Sequence, residues 1–318
     1  MDSITRKYLW IFFGILISVM FVAYVISIMN TTLTPDRSPG HIVEEEIDYY
    51  IIKDKDGNVI FETGHELHVD DEYIDEDDIH YRIKSIDGNT ATAEKIAKLT
   101  SLDLSNNETA PAISPFLRGV LPAQNLRPVH IVMYYTHSDE SFIPTSGTAS
   151  IDGYGDIYQV GETLAEALTT AGISVTNNQE NHNPHDVNAY HRSRRTLTTL
   201  LAEQPDAAYD IHRDSAPARA YNTVINGTLT SRVMIVIGRG NPNMETNLDY
   251  ARRLKEAADR IHPGLMRGIF MGRGDYNQDM YPTAILFEIG TQYQTLEMAQ
   301  KGAQCLADII IRVKYDFE

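Results

Sequence analysis

The chain has 318 residues, 42% of them hydrophobic and 22% charged, enough to bury a core and to hold one catalytic domain plus a smaller module. A formal net charge of −17 argues against a nucleic-acid binder, because phosphate contacts need clustered Lys and Arg. The single cysteine, Cys305, excludes an intramolecular disulfide and a multi-cysteine zinc site, so a metal would need nitrogen and oxygen ligands, for which 11 histidines are available.

Residues 1–8 form a short N-terminus carrying Arg6 and Lys7. Leu9–Met29 follows without a charge, and at about 1.5 Å per helical residue it spans roughly 30 Å, the thickness of a bilayer core. Arg6 and Lys7 precede the run and the nearest acidic residue beyond it is Asp36, and the positive-inside rule then puts the N-terminus in the cytoplasm and the remainder outside. An uncleaved anchor is favoured over a signal peptide: the apolar run is long and no small-x-small cleavage site follows closely. The expectation is a single-pass protein of the cell membrane with an extracytoplasmic catalytic domain. Residues 30–43, with Pro35, Pro39 and Gly40, read as a tether.

Residues 44–98 read as a small antiparallel β module. Tyr49–Lys53 and Val59–Thr63 flank the hairpin signal Asp54-Lys55-Asp56-Gly57-Asn58, and His80–Lys84 and Thr90–Glu94 flank Asp87-Gly88-Asn89. The acidic run 69–78 lacks the glycine and terminal glutamate of a calcium loop and is expected to be a solvated loop. His65, His68 and His80 fall in this module, where no chemistry is expected. Residues 99–127 carry Ser, Asn and Pro without periodicity and read as a linker.

From 128 to 318 strands and helices alternate, which predicts an α/β domain with a mostly parallel sheet flanked by helices. The expected helices are Gln159–Ala171, Tyr190–Ala202, Asn247–Ile261 and Gln294–Val313. The strand after residue 128 leads into Thr136-His137-Ser138-Asp139-Glu140, another ends in Asp210-Ile211-His212, and a third is Ala284–Glu288. In open α/β sheets ligands bind beyond the carboxyl ends of strands.

A lone histidine or glutamate at a strand end is ordinary structure. Three polar interruptions at the ends of apolar strands are harder to dismiss, because a buried charge is costly unless paired or bound to metal. Catalytic zinc commonly takes three protein ligands and a water, and His137, Glu140 and His212 supply a His-Glu-His set. Glu288 is then the expected general base for the water. Arg213 follows His212 directly and is expected to assist as an orienting or oxyanion-stabilising group. Arg192, Arg194 and Arg195 are candidates for gripping a substrate carboxylate, with a solvated helix face the equal alternative. His182, His185 and Asp186 form a rival metal set, on a Pro/Asn-rich loop with no strand to hold it.

The segments Thr136–Ser141, Asp186–Arg194, Asp210–Asp214, Tyr276–Asp279 and Leu286–Gly290 resemble the stage II sporulation protein P family, over roughly residues 128–316. The resemblance implies a zinc amidase-like fold and a membrane-anchored peptidoglycan hydrolase. It would cut the N-acetylmuramoyl-L-alanine amide, with cross-link endopeptidase activity as an addition, and act in septal wall degradation and engulfment during sporulation beside stage II sporulation proteins D and M. It also implies that His137 and His212 hold Zn2+, that Glu140 is the third ligand, that Glu288 is the catalytic acid, and that Asn277 and Gln278 join Arg192 and Arg194 in binding substrate. A zinc peptidase acting only on stem peptides, and a wall-binding scaffold with a disused pocket, are the alternatives.

Overall fold

The computed structural model describes residues 49–98 and 129–315, all within the compact unit Ile47–Glu318. Its first part holds β1 (Tyr50–Lys53), β2 (Val59–Thr63), β3 (Glu72–Asp75), β4 (Ile79–Asp87) and β5 (Thr90–Lys98). The second begins with β6 (His130–Tyr134), α1 (Ile143–Ser146), α2 (Ile157–Thr170), β7 (Ser174–Asn177), α3 (Ala189–Leu201) and β8 (Ala207–Asp214). A one-turn helix α4 (Ala218–Tyr221) and the hairpin β9 (Asn222–Ile225) and β10 (Thr228–Ser231) follow. The chain then runs through β11 (Val233–Gly238), α5 (Met244–Ile261), β12 (Met266–Gly272), β13 (Ala284–Thr291) and α6 (Leu296–Tyr315). The four long helices match the periodicity of the sequence to within a few residues, because each has one apolar stripe to bury.

Eleven strands form one sheet in the order β2-β1-β5-β4-β3-β12-β11-β13-β8-β6-β7. The α/β class holds, but the sheet is mixed and not mostly parallel. Strands β7, β6, β8 and β13 run parallel to one another, whereas β11 is antiparallel to β13 and β3 is antiparallel to β12. The connections explain the mixture. A helix carries the chain back between β6 and β7, β7 and β8, and β11 and β12, and gives parallel strands. The β8–β11 link folds as α4 and a hairpin, and the β12–β13 link holds only the 3-10 turn Gln278–Met280, so each delivers its next strand in the opposite direction.

The acidic run 69–78 is not simply a solvated loop. It contains β3, whose Tyr73 and Ile74 are buried on opposite faces while Glu72 pairs with His80 and Arg82 across β4. Through β3 the strands of residues 50–98 continue the sheet of the second part. At Gly268 on β12 a Cβ would sit 2.4 Å from the Ile74 carbonyl oxygen, so only glycine permits this close pairing.

Helices α2, α5 and α6 cover one face, where Ile131, Tyr209, Ile235 and Phe287 are fully buried. On the other face Phe61, Ile52 and Tyr73 pack with Met234, Val236, Phe270 and Leu286, and α3 covers Val132 and Ala208. Each fully buried aliphatic or aromatic side chain contributes about 1.5–3 kcal/mol, and β8, β11, β12 and β13 are buried at every position. That rigidity fixes where their carboxyl ends point.

The anchor expected over residues 9–29 lies outside the described residues, as do the tether 30–43 and the linker 99–127. Among the described residues no helix is long and apolar enough to cross a membrane, and the expectation of a single-pass membrane protein is withdrawn on that finding.

Candidate metal centre

Beyond β6 the chain turns at Thr136, whose N–H and hydroxyl donate to the two oxygens of Asp210 on β8 at 2.8 and 2.5 Å. This clasp sets His137 beside His212, with ring centroids 4.9 Å apart and planes at 86°. Glu140 lies on a loop closed from behind by Gly155, where a Cβ would come within 2.4 Å of the Glu140 carbonyl oxygen. That carbonyl accepts the N–H of Ile157 at 3.0 Å, tying the loop to the first residue of α2.

The result is a convergence of three ligand atoms. Glu140 Oε1 is 3.3 Å from His137 Nδ1 and 3.2 Å from His212 Nδ1. Among the described residues this is the one group of three such side chains whose ligand atoms converge, all within 4.8 Å of one another. Tetrahedral ligands bonded at about 2.0–2.1 Å lie about 3.3–3.4 Å from one another, and the two distances from Glu140 Oε1 to the histidine nitrogens match that spacing. The supporting contacts fit as well. Glu140 Oε2 accepts the Arg213 backbone N–H at 2.8 Å, and His212 Nε2 faces Asp210 Oδ1 at 3.0 Å, off the line of a hydrogen bond. Ligating histidines usually present their second nitrogen to a carboxylate in this way.

The electrostatics favour a cation. Burial, with His185 close by, pulls the His137 imidazole down to about 4, which keeps it neutral. Burial alone would raise the Glu140 carboxyl, but His212 and the His137 hydrogen bond outweigh it and hold the group well below its usual range. For His212 burial opposes protonation, and the Asp210 and Glu140 carboxylates overcome it, raising the group well above the ordinary histidine value. The Asp210 and Glu140 carboxylates that raise His212 place negative charge where a metal ion would compete with the proton for a lone pair.

Glu288 on β13 is the register partner of His212 across the parallel β8–β13 pair. It is 3% exposed, burial raises its carboxyl above the usual range, and Oε2 has no hydrogen-bond partner among the described residues. Its other oxygen, Oε1, accepts from His65 Nε2 at 2.7 Å. His65 was expected to be remote from any chemistry and instead contacts the centre. No motif or spacing around Thr63-Gly64-His65 marks it, because the contact spans 223 positions in the chain.

The other sequence candidates are drawn inward. The Arg213 guanidinium donates to Ala149 O at 2.9 Å, Ser215 Oγ at 3.0 Å and Ser141 O at 3.3 Å, so its backbone N–H, not its guanidinium, makes the hydrogen bond to Glu140. Arg192 binds His182 O at 2.5 Å and Asp186 Oδ1 at 2.6 Å, while Arg194 grips both oxygens of Asp279. Asn277 donates to Tyr190 O and Ser193 Oγ, and Gln278 pairs with Gly238 N–H and Val236 O. The four side chains expected to bind substrate thus satisfy buried or half-buried partners of their own. The rival metal set does not assemble. His182 bonds Tyr135 O and Thr196 Oγ1, Asp186 pairs with Arg192, and His185 stacks on the His137 ring at 3.8 Å.

Two tyrosines complete the surroundings. Tyr190 meets His137 edge-on at 5.6 Å, and Tyr276 lies 5.8 Å from Tyr190. Tyr276 and Asn277 have consecutive positive φ values of 50° and 57°, a conformation that non-glycine residues rarely adopt and that recurs at functional sites.

A family model described as Stage II sporulation protein P matches residues 37–311. Stage II sporulation protein P of Bacillus subtilis (strain 168) is 30% identical over 207 residues, covering 59% of this chain and 52% of that protein. The chain therefore spans about half the length of the curated relative it matches. Among solved structures, the CwlD amidase from Clostridioides difficile in complex with the GerS lipoprotein aligns with TM-score 0.41 and 10% identity, over 59% of this chain and 100% of that one. The N-acetylmuramoyl-L-alanine amidase AmiC2 of Nostoc punctiforme aligns with TM-score 0.37 and 14% identity, over 59% and 96%.

Proposed function

The chain belongs to the stage II sporulation protein P family, and from that premise we propose that it is a zinc-dependent peptidoglycan hydrolase of sporulation that cleaves the amide between N-acetylmuramic acid and L-alanine. The observation that carries the reading is the convergence of His137 Nδ1, Glu140 Oε1 and His212 Nδ1 next to a buried carboxylate with one oxygen unpartnered among the described residues. Zinc bound to the three ligands would supply Lewis acidity toward the water and the amide carbonyl. Asp210 and the Arg213 N–H hold His212 and Glu140 in place.

Glu288 accepts a proton from the attacking water at Oε2. The water oxygen bonds to the lactyl carbonyl carbon, the carbon–nitrogen bond breaks, and the same proton passes from Glu288 to the leaving nitrogen of L-alanine. Burial suits Glu288 to this work, because it raises the proton affinity of the carboxyl and so makes it a better acceptor. In this reading His185, Tyr190 and Tyr276, which pack beside the centre, would line the substrate's path in place of the arginines and amides that the fold engages elsewhere. Stage II sporulation proteins D and M are proposed as partners on the family resemblance.

The test is mass analysis of muropeptides digested by the full chain, with zinc content measured on the same sample. Free stem peptides, lost on chelation and recovered on adding zinc, support the amidase. Cross-links cut with the stems still joined to glycan would replace it with an endopeptidase. No product from zinc-loaded protein would leave the scaffold reading.

A further inference from the structure

The chemistry above makes no use of His65, although it touches the proposed base. We propose that His65 is a positioning residue for Glu288: by donating to Oε1 it turns Oε2 toward the reacting groups, so the N-terminal strands complete the site. The inference rests on the hydrolase reading of the same centre.

Three observations carry it. First, Glu288 is bound asymmetrically, with His65 Nε2 at 2.7 Å from Oε1 and Oε2 buried without a partner among the described residues. A pair kept only for stability would satisfy both oxygens, because a buried acceptor left unpaired costs about 1–3 kcal/mol. Second, the imidazole is held in place. Its ring lies 5.5 Å from Phe270 and 6.3 Å from Tyr276, and its side chain is 16% exposed. Third, the segment carrying it is fastened to the strand that carries His212. Asp214 accepts from Gly64 N–H at 2.7 Å, from Thr63 Oγ1 at 3.1 Å and from Tyr221 OH at 2.9 Å. At Gly64 a Cβ would come within 2.5 Å of Ser215 Cβ, so the segment runs directly against the chain that follows β8. Asp214 thus sets the distance between His65 and the β8–β13 strand ends.

The experiment compares the zinc-loaded full chain with its His65→Ala and His65→Gln variants in muropeptide hydrolysis. His65→Ala is expected to lower kcat about 10- to 100-fold, the usual effect of removing a group that orients a functional side chain, with KM and zinc content unchanged. His65→Gln, whose amide can donate to Oε1, is expected to recover most of the loss. Native kcat in His65→Ala, or equal impairment of both variants, overturns the proposal. A second measurement needs no turnover: in the metal-free chain, Glu288→Gln should move the His65 Nε2 resonance in nitrogen NMR, and an unmoved resonance also overturns it. An inactive native chain would instead overturn the hydrolase reading, which separates the two failures.

Discussion

Replacing Asp210 by Asn tests the centre without touching a ligand. Asp210 is 1% exposed, and its Oδ1 both accepts the Thr136 N–H at 2.8 Å and faces His212 Nε2 at 3.0 Å. Asparagine has nearly the same shape, and its carbonyl can take the Oδ1 position. Its NH2 then faces Thr136 Oγ1, which can still donate to Ser193 Oγ at 2.7 Å. The fold should therefore survive, and the main loss is one negative charge behind His212. Removing a carboxylate that stands behind a metal-ligating histidine typically weakens metal binding about 10- to 100-fold, which is the loss expected for zinc here. Competition with a chromophoric chelator at fixed pH and salt measures it, with circular dichroism of the metal-free variant as the check on folding. Affinity unchanged within about twofold would refute the supporting role assigned to Asp210. A loss beyond about a thousandfold in a folded variant would refute it differently, by making Asp210 itself a ligand.

Other outcomes follow from the same geometry. Glu288→Gln should keep its zinc and lose about 10²–10⁴ in turnover, measured by product release; retained turnover would mean a different base. Gly268→Ala forces a Cβ against the Ile74 carbonyl at the β3–β12 junction and should destabilise the fold by about 1–3 kcal/mol, read from the urea midpoint. An unmoved midpoint would mean that the junction has room. Burial pulls the Lys314 ammonium from 10.5 down to about 8. Between those values the unfolded chain holds a proton that the folded chain has released, so this group makes stability rise with pH across that window. The native chain should gain stability relative to Lys314→Met between pH 8 and 10.5, and parallel denaturation curves would contradict this.

Backbone periodicity in the sequence carries the positions of the strand ends that converge at the centre. The strands ending near His137, His212 and Glu288 are apolar runs between amphipathic helices, and rigid parallel neighbours deliver their carboxyl ends to one place. Residues whose roles depend on partners distant in the chain were read less well. Arg192, Arg194, Asn277 and Gln278 look like free polar groups in sequence, yet each meets a partner that only folding supplies. Strand β12 lies in Met266–Gly272, a stretch with four methionine or glycine positions beside two bulky apolar ones, and no alternation announced it. β3 was hidden by its acids, since Glu72 and Asp75 flank the two buried side chains that make it a strand.

By itself the sequence determined the α/β class of the second part, the long helices and the three strand ends with a metal-ligand set of residue types, because all of these follow from local spacing. Tertiary structure alone decided that the sheet is mixed, that β3 joins the N-terminal strands to it, and that His65 meets Glu288 at 2.7 Å. Those outcomes depend on which strand edges pair and on the direction in which each link returns the chain, and a contact between residues 223 positions apart leaves no periodic trace in either segment.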